Sequence, residues 1–174
     1  MSLVVETGAG LSNAESFVSV AEMDAYFVAF GVPSSYALKT EAEKEILLRV
    51  ATQYLVAQYR GKWRGAQSTQ EQALPWPRIG VIDDEGWGID SNVVPKPLKE
   101  ASYELVKRLL TKELLPDRAD GGTVQSTSVS LGSLSESISY FSGATGLPEF
   151  TLVERLLGGL IHYSRGVVKP LRRA

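Results

Sequence analysis

Three tryptophans, Trp63, Trp76 and Trp87, interleave with Arg60, Lys62, Arg64 and Arg78. Bases stack on aromatic faces, and Arg and Lys side chains track phosphates. This is therefore the smallest set of residue types that can hold a single nucleic-acid strand. The same residues have a packing explanation. In Pro75-Trp76-Pro77 each proline fixes φ and removes a backbone donor, and residues 74 and 76 are pushed toward extended backbone. Such a segment fits neither a helix nor a central strand; it reads as a rigid connector carrying an apolar plug, with Trp76 buried. The nearby acids Asp83, Asp84, Glu85 and Asp90 would repel a phosphate backbone. Packing is the expected role of the tryptophans.

Other constellations carry less. His162 is the single histidine, and no G-x-S-x-G elbow accompanies it, so a helix-end or solvated role is expected rather than catalysis. Gly61-Lys62 is followed by Trp63, and position 56 is Val, so the phosphate-cradling P-loop pattern fails. Asp83, Asp84, Glu85 and Asp90 could offer oxygens to a hard cation, but their spacing is not that of an EF-hand loop and a solvated turn is expected. No catalytic, cofactor-binding or metal-ligating residue is assigned, no cofactor is expected, and an enzyme is not.

A chain of 174 residues with 44 % hydrophobic and 22 % charged residues can form one domain with its own core. On folding it should bury roughly 70 % of the surface of its extended form. Cysteine is absent, which excludes disulfides and thiolate metal sites and suits a reducing compartment. No apolar run reaches the ~20 residues of a membrane span, and residues 1–6 show no signal-peptide pattern, so no membrane partner is expected. Net charge is −2, unlike a protein whose whole surface grips nucleic acid. Locally the balance differs. From His162 to Ala174 there are four bases, Arg165, Lys169, Arg172 and Arg173, and no acid.

The elements that must position these groups are legible in outline. Residues 1–18, rich in Gly, Ser and Asn, read as an extended arm with turns. Ser19-Val20-Ala21-Glu22 is a capping box, and Val20, Met23, Phe27 and Phe30, with Tyr26 beside them, recur at helical spacing up to Gly31 and Pro33. Thr40-Glu41-Ala42-Glu43, a second capping box, opens a second helix to about Tyr59, with Ile46, Leu47, Val50, Ala51, Tyr54 and Leu55 as its apolar stripe and Gly61 as a stop. Residues 61–97 hold all three tryptophans and four of the eight prolines, and read as irregular, with a turn at residues 83–86. Pro97 sets the first turn of a third helix reaching about Leu115. Residues 123–141, rich in Ser, Thr and Val, predict a two-stranded ribbon turning near Gly132-Ser133. A last helix follows Pro148, with Leu152, Val153, Leu156, Leu157, Leu160 and Ile161 as its apolar positions. The expected fold is mostly α: a bundle of three or four helices over residues 19–161, with the ribbon as an excursion, an arm at 1–18 and a basic tail at 162–174.

Four segments carry a likeness. They are residues 4–8 with 13–20; Ala51-Thr52-Gln53-Tyr54-Leu55 leading to Arg64-Gly65; Gln72-Ala73-Leu74-Pro75-Trp76-Pro77-Arg78; and Val94-Pro95 with Leu98-Lys99-Glu100-Ala101. In these the chain resembles a family of tailed-phage structural proteins often labelled DnaT-like single-stranded-DNA-binding proteins. The likeness runs from about Leu3 to the ribbon and leaves the basic tail uncovered. Such proteins are similar in helical layout to the head-to-tail connector adaptors of tailed phages.

The resemblance implies a structural role in the virion neck, after assembly in the host cytoplasm. The implied partners are a portal protein, a tail-completion or stopper protein and further copies of the chain in a ring, usually of twelve, with duplex DNA passing through the lumen. On that reading Arg165, Lys169, Arg172 and Arg173 are candidates for the portal contact. Val129, Leu131, Ile138 and Tyr140 are candidates for pairing between subunits, because an isolated ribbon is marginal in water. The alternative is a single-stranded-DNA-binding accessory protein using Arg60, Lys62, Trp63, Arg64 and Arg78.

Overall fold

The computed structural model describes residues 2–111, 114, 124–130, 135–140 and 150–162. Among these residues the fold is mostly helical with a two-stranded antiparallel ribbon, as expected. The helices are α1 (Val20–Phe30), α2 (Ser34–Ala37), α3 (Glu41–Gln58), α4 (Lys96–Leu109) and α5 (Thr151–Leu157), the last continued by a 3-10 turn at Gly158–Leu160. Two short strands, β1 (Ala66–Gln67) and β2 (Arg78–Ile79), pair antiparallel inside the Trp/Pro segment. The ribbon consists of β3 (Val124–Ser130) and β4 (Ser135–Tyr140).

Both capping boxes form. The Ser19 Oγ accepts from the Glu22 N–H at 3.2 Å while the Glu22 carboxylate accepts from the Ser19 N–H at 2.8 Å. Thr40 and Glu43 repeat the arrangement at the start of α3. Each box satisfies donors that a helix start leaves open, so both helices begin where the side chains dictate. In α4, Pro95 and Pro97 set the first turn, and Leu98, Ala101, Leu105 and Val106 are fully buried. This helix packs against both α3 and α5 and forms the centre of the body.

The apolar stripes need three corrections. Leu48, Ala51, Tyr54 and Leu55 are buried in α3, but Ile46 is exposed, and Leu47 and Val50 are half-buried. The inward face is turned so that Leu48 replaces Ile46, because α3 is covered by both α1 and α4. In α1, Met23 and Phe27 are buried, while Phe30, in the last position of the helix, is exposed. In α5, Val153 and Leu157 point inward and Leu152 is half exposed.

Residues 2–18 have no regular structure beyond one parallel bridge between Val5 and Ser16, as their composition expects. They nevertheless pack on their own chain. Phe17 and Val18 are fully buried, and the buried Glu6 carboxylate accepts from the N–H groups of Gly8 (2.8 Å), Gly10 (3.0 Å) and Leu11 (2.8 Å). Three fixed donors around one carboxylate hold this loop in one shape.

Candidate functional site

The residues that suggested strand binding lie between the end of α3 and the Trp/Pro segment. The α3 helix ends at Gln58 with Tyr59 as its cap, and the chain turns through Gly61 at φ +74°. The turn delivers Trp63 into an antiparallel bridge with Ile161. Two backbone bonds lock this edge: the Arg64 N–H donates to the Leu160 carbonyl at 3.0 Å, and the His162 N–H donates to the Lys62 carbonyl at 2.7 Å. His162 itself is exposed and lies just past the 3-10 turn, the helix-end position expected of it.

Two tryptophans are core residues. Trp76 has no exposed surface and Trp63 is 7 % exposed. Their rings meet edge to face with centroids 6.4 Å apart, and Tyr59 lies against Trp63 at 5.8 Å. Neither indole offers a face for a base to stack on. Trp87 departs from the packing expectation: it is 73 % exposed, at the tip of the turn following Asp83.

The arginines are turned inward as well. Arg78 donates from Nε to the Arg64 carbonyl at 2.6 Å, from Nη2 to the Gly65 carbonyl at 2.6 Å and from Nη1 to the Pro75 carbonyl at 3.1 Å. Burial pushes its pKa down from the ordinary arginine value. Arg64 donates from Nε to the Ile161 carbonyl at 3.1 Å and from Nη1 to the Ile82 carbonyl at 3.3 Å and the Asp84 carboxylate at 3.1 Å. Gly65 lets the β2 backbone come close beside them. Its φ is +67°, and a Cβ there would sit on the Ile79 carbonyl. Of the basic cluster only Arg60 and Lys62 remain exposed; Lys62 Nζ rests 5.6 Å from the centre of the Tyr59 ring.

Gln72 is the positioning residue that sequence reasoning missed. It is 6 % exposed, and its Nε2 donates to the Leu74 carbonyl at 2.7 Å and the Pro77 carbonyl at 3.0 Å, while Oε1 accepts from the Thr69 N–H at 2.9 Å. A side-chain amide that bridges the ends of Pro75-Trp76-Pro77 replaces partners that the prolines cannot supply. The available signal was a Gln three positions before the first proline.

An open cleft of about 660 Å³ lies beside this layer, lined by Gln53, Val56, Ala57 and Arg60 of α3 and its end, and by Gly61, Trp63, Gln67, Ala73, Pro75 and Arg78. The acids expected to form a turn do so. Asp83 Oδ1 accepts from the N–H groups of Glu85 (3.0 Å) and Trp87 (2.8 Å), and Asp84 pairs with Arg64. Among the described residues no group of three or more metal-ligating side chains comes together.

The remaining candidates are only partly placed. The ribbon register pairs Val129 with Glu136, Thr127 with Ile138 and Val124 with Tyr140. Leu131 and the tail bases Arg165, Lys169, Arg172 and Arg173 lie outside the described residues. No described helix is long and apolar enough to cross a membrane.

A small helical body with an inward-turned Trp/Pro layer, an open cleft beside it and a two-stranded ribbon defines the class. The family model described as "Putative DnaT-like ssDNA binding protein" matches residues 1–174, and the chain belongs to that family. The match includes the basic tail, which the likeness of the four segments left uncovered. Neither the curated proteins nor the solved structures yield a match.

Proposed function

We propose that this chain is a non-enzymatic structural adaptor of a tailed-phage neck. It would form part of a ring between the portal and a tail-completion or stopper protein, with duplex DNA in the lumen. The phage assignment rests on the likeness of the four sequence segments to a family of tailed-phage structural proteins, whose helical layout is similar to that of connector adaptors. One observation carries the adaptor reading further: Trp63 and Trp76 are packed in the core and Arg64 and Arg78 close on the chain's own backbone, while large apolar side chains remain outside. Leu38 is 86 % exposed, Val28 78 % and Phe30 72 %, in the last turn of α1 and just past α2. Single exposed apolar residues are ordinary, but a group of them suits contact with another protein. The tail bases would then serve the portal and the ribbon a neighbouring subunit.

The test is light scattering of the purified protein with and without its portal, beside a fluorescence titration with labelled single-stranded DNA. A ring-sized mass gained on the portal supports the adaptor. Deleting residues 163–174 should abolish that docking and leave the fold intact; normal docking by the truncated chain refutes the role of the tail. The family description favours a second reading, and the exposed Arg60 and Lys62 are what it has to work with. Neutralising two phosphates of a single strand would give a salt dependence of about −1.4 in log K against log salt, from about −0.7 per phosphate. Micromolar strand binding by a protein indifferent to the portal would establish this second reading instead.

A further inference from the structure

Two features are unused by the contacts described above, and they complement each other. The first is the Trp87 turn. Asp83 Oδ1 accepts from the Glu85 and Trp87 N–H groups, and the Asp83 N–H donates to the Trp87 carbonyl at 2.9 Å. Ile82 and Gly88 pair across its base, and Asp84 ties it to Arg64. A turn built this firmly does not need an apolar residue at its tip, yet it holds an indole 73 % exposed. Residues 83–90 contain four acids and no base. The second feature is the cleft of about 660 Å³, with Val56, Ala57, Trp63 and Pro75 as apolar lining, Arg60 as an exposed cation and no acid among its lining residues. Trp87 does not line the cleft of its own chain.

The geometry points to a head-to-tail contact between two copies of this chain, in which the Trp87 turn of one enters the Arg60 cleft of the next. The indole would fill the apolar lining, and Glu85, exposed and held at the turn by its backbone, would face Arg60. A large aromatic anchored in a pocket with a charged rim is the usual energetic centre of a protein interface. Because the two surfaces differ, each copy keeps a free turn at one end and a free cleft at the other. Such a contact closes into a ring if the rotation per copy permits and extends into a filament if it does not. The inference rests on the adaptor reading only for its setting; the opposite charge of turn and cleft, and an exposed indole together with an apolar-lined cleft, carry it.

Sedimentation equilibrium of the full chain tests it, with Trp87→Ala, Arg60→Glu, Glu85→Lys and the double variant R60E/E85K. Trp87 and Arg60 are exposed, so circular dichroism should show unchanged folds. The wild type should associate as concentration rises. Trp87→Ala should weaken association by about 30-fold or more, the loss typical of an interface hot spot. Arg60→Glu and Glu85→Lys should each weaken it, and R60E/E85K should recover most of the loss. Mixing W87A with R60E should give a capped one-to-one dimer, since one intact turn and one intact cleft survive. Association as tight in W87A as in the wild type overturns the contact and leaves the adaptor reading standing. A wild type that stays monomeric to about 1 mM overturns the contact too; the portal experiment then judges the adaptor reading separately. A mixture that forms no dimer also overturns it.

Discussion

Arg78 holds Arg64 by its backbone: the Arg78 Nε donates to the Arg64 carbonyl at 2.6 Å, and the same guanidinium reaches the carbonyls of Gly65 and Pro75. Two residues that look in sequence like neighbouring contacts for phosphate are instead the two halves of a structural clasp. Arg64 completes it by reaching Ile161, Ile82 and Asp84.

Arg78→Ala should therefore act on stability. Hydrogen bonds to a charged donor contribute about 1.5–3 kcal/mol each when buried, and part of this guanidinium is exposed, so the expected loss is about 2–4 kcal/mol. Urea unfolding measures it. A variant as stable as the wild type that has lost affinity for single-stranded DNA would mean that the clasp is not what Arg78 is for.

Trp76→Ala removes a fully buried indole and should cost about 3–5 kcal/mol. Trp87→Ala should change stability by less than about 0.5 kcal/mol, as expected of an exposed side chain. The contrast separates a plug from a displayed side chain, and thermal unfolding of the two variants reads it directly.

Thr40→Ala breaks the exposed capping box of α3 and should cost about 1 kcal/mol. Thr40→Ser should restore most of it. If alanine and serine behaved alike in denaturant, the hydroxyl would have no part in starting the helix.

The pH dependence follows from ion pairs between elements. Burial disfavours the charged form of Glu22, Asp24 and Glu104, yet their partners outweigh it and hold each carboxyl below its ordinary range. Those partners are Lys99 and Ser19 for Glu22, Lys44 and Tyr36 for Asp24, and Arg108 and Tyr26 for Glu104. The folded form holds fewer protons than the unfolded chain in that range. Their contribution is thus present above the ordinary carboxylate values and fades as pH falls below about 4. At the alkaline end, burial and the Glu104 carboxylate push the Tyr26 hydroxyl up to about 12 from 10.0. Its contribution is intact below pH 10 and is lost as pH rises toward 12. Urea midpoints between pH 3 and 11 should form a plateau with these two shoulders; a midpoint that climbs below pH 4 would contradict the acid arm.

Local rules account for what the sequence made legible. Ser19 with Glu22 and Thr40 with Glu43 place two helix starts because a capping box involves only neighbouring residues. Pro75 and Pro77 exclude regular structure around Trp76 for the same reason. What long-range packing decides was not legible. Leu48 rather than Ile46 faces inward because α1 and α4 both cover α3. The four-residue α2 has no period to detect. Glu6 folds residues 6–11 around its own carboxylate with a pattern that spacing does not announce. At the candidate site, residue types correctly suggested a cluster, but whether an arginine faces water or a carbonyl depends on chain geometry. Trp63, Arg64 and Arg78 could not be told from a phosphate-binding set until their partners, Gly65 and Ile161 among them, were in place.

The pairing of residues 62–64 with 160–162 also gives the molecule a built-in order of completion. The Trp63 edge is completed by residues 160–162, almost a hundred positions later. On the ribosome, α1 and α3 can associate early, but the edge beside them stays open until residue 162 has emerged. Closing so long a loop carries an entropic cost that nearby helical contacts do not share. A nascent chain arrested at residue 150 should accordingly be cut by protease near Trp63, and a released chain that includes residues 160–162 should resist. The edge would thereby stay unready for use until both of its distant halves have been made.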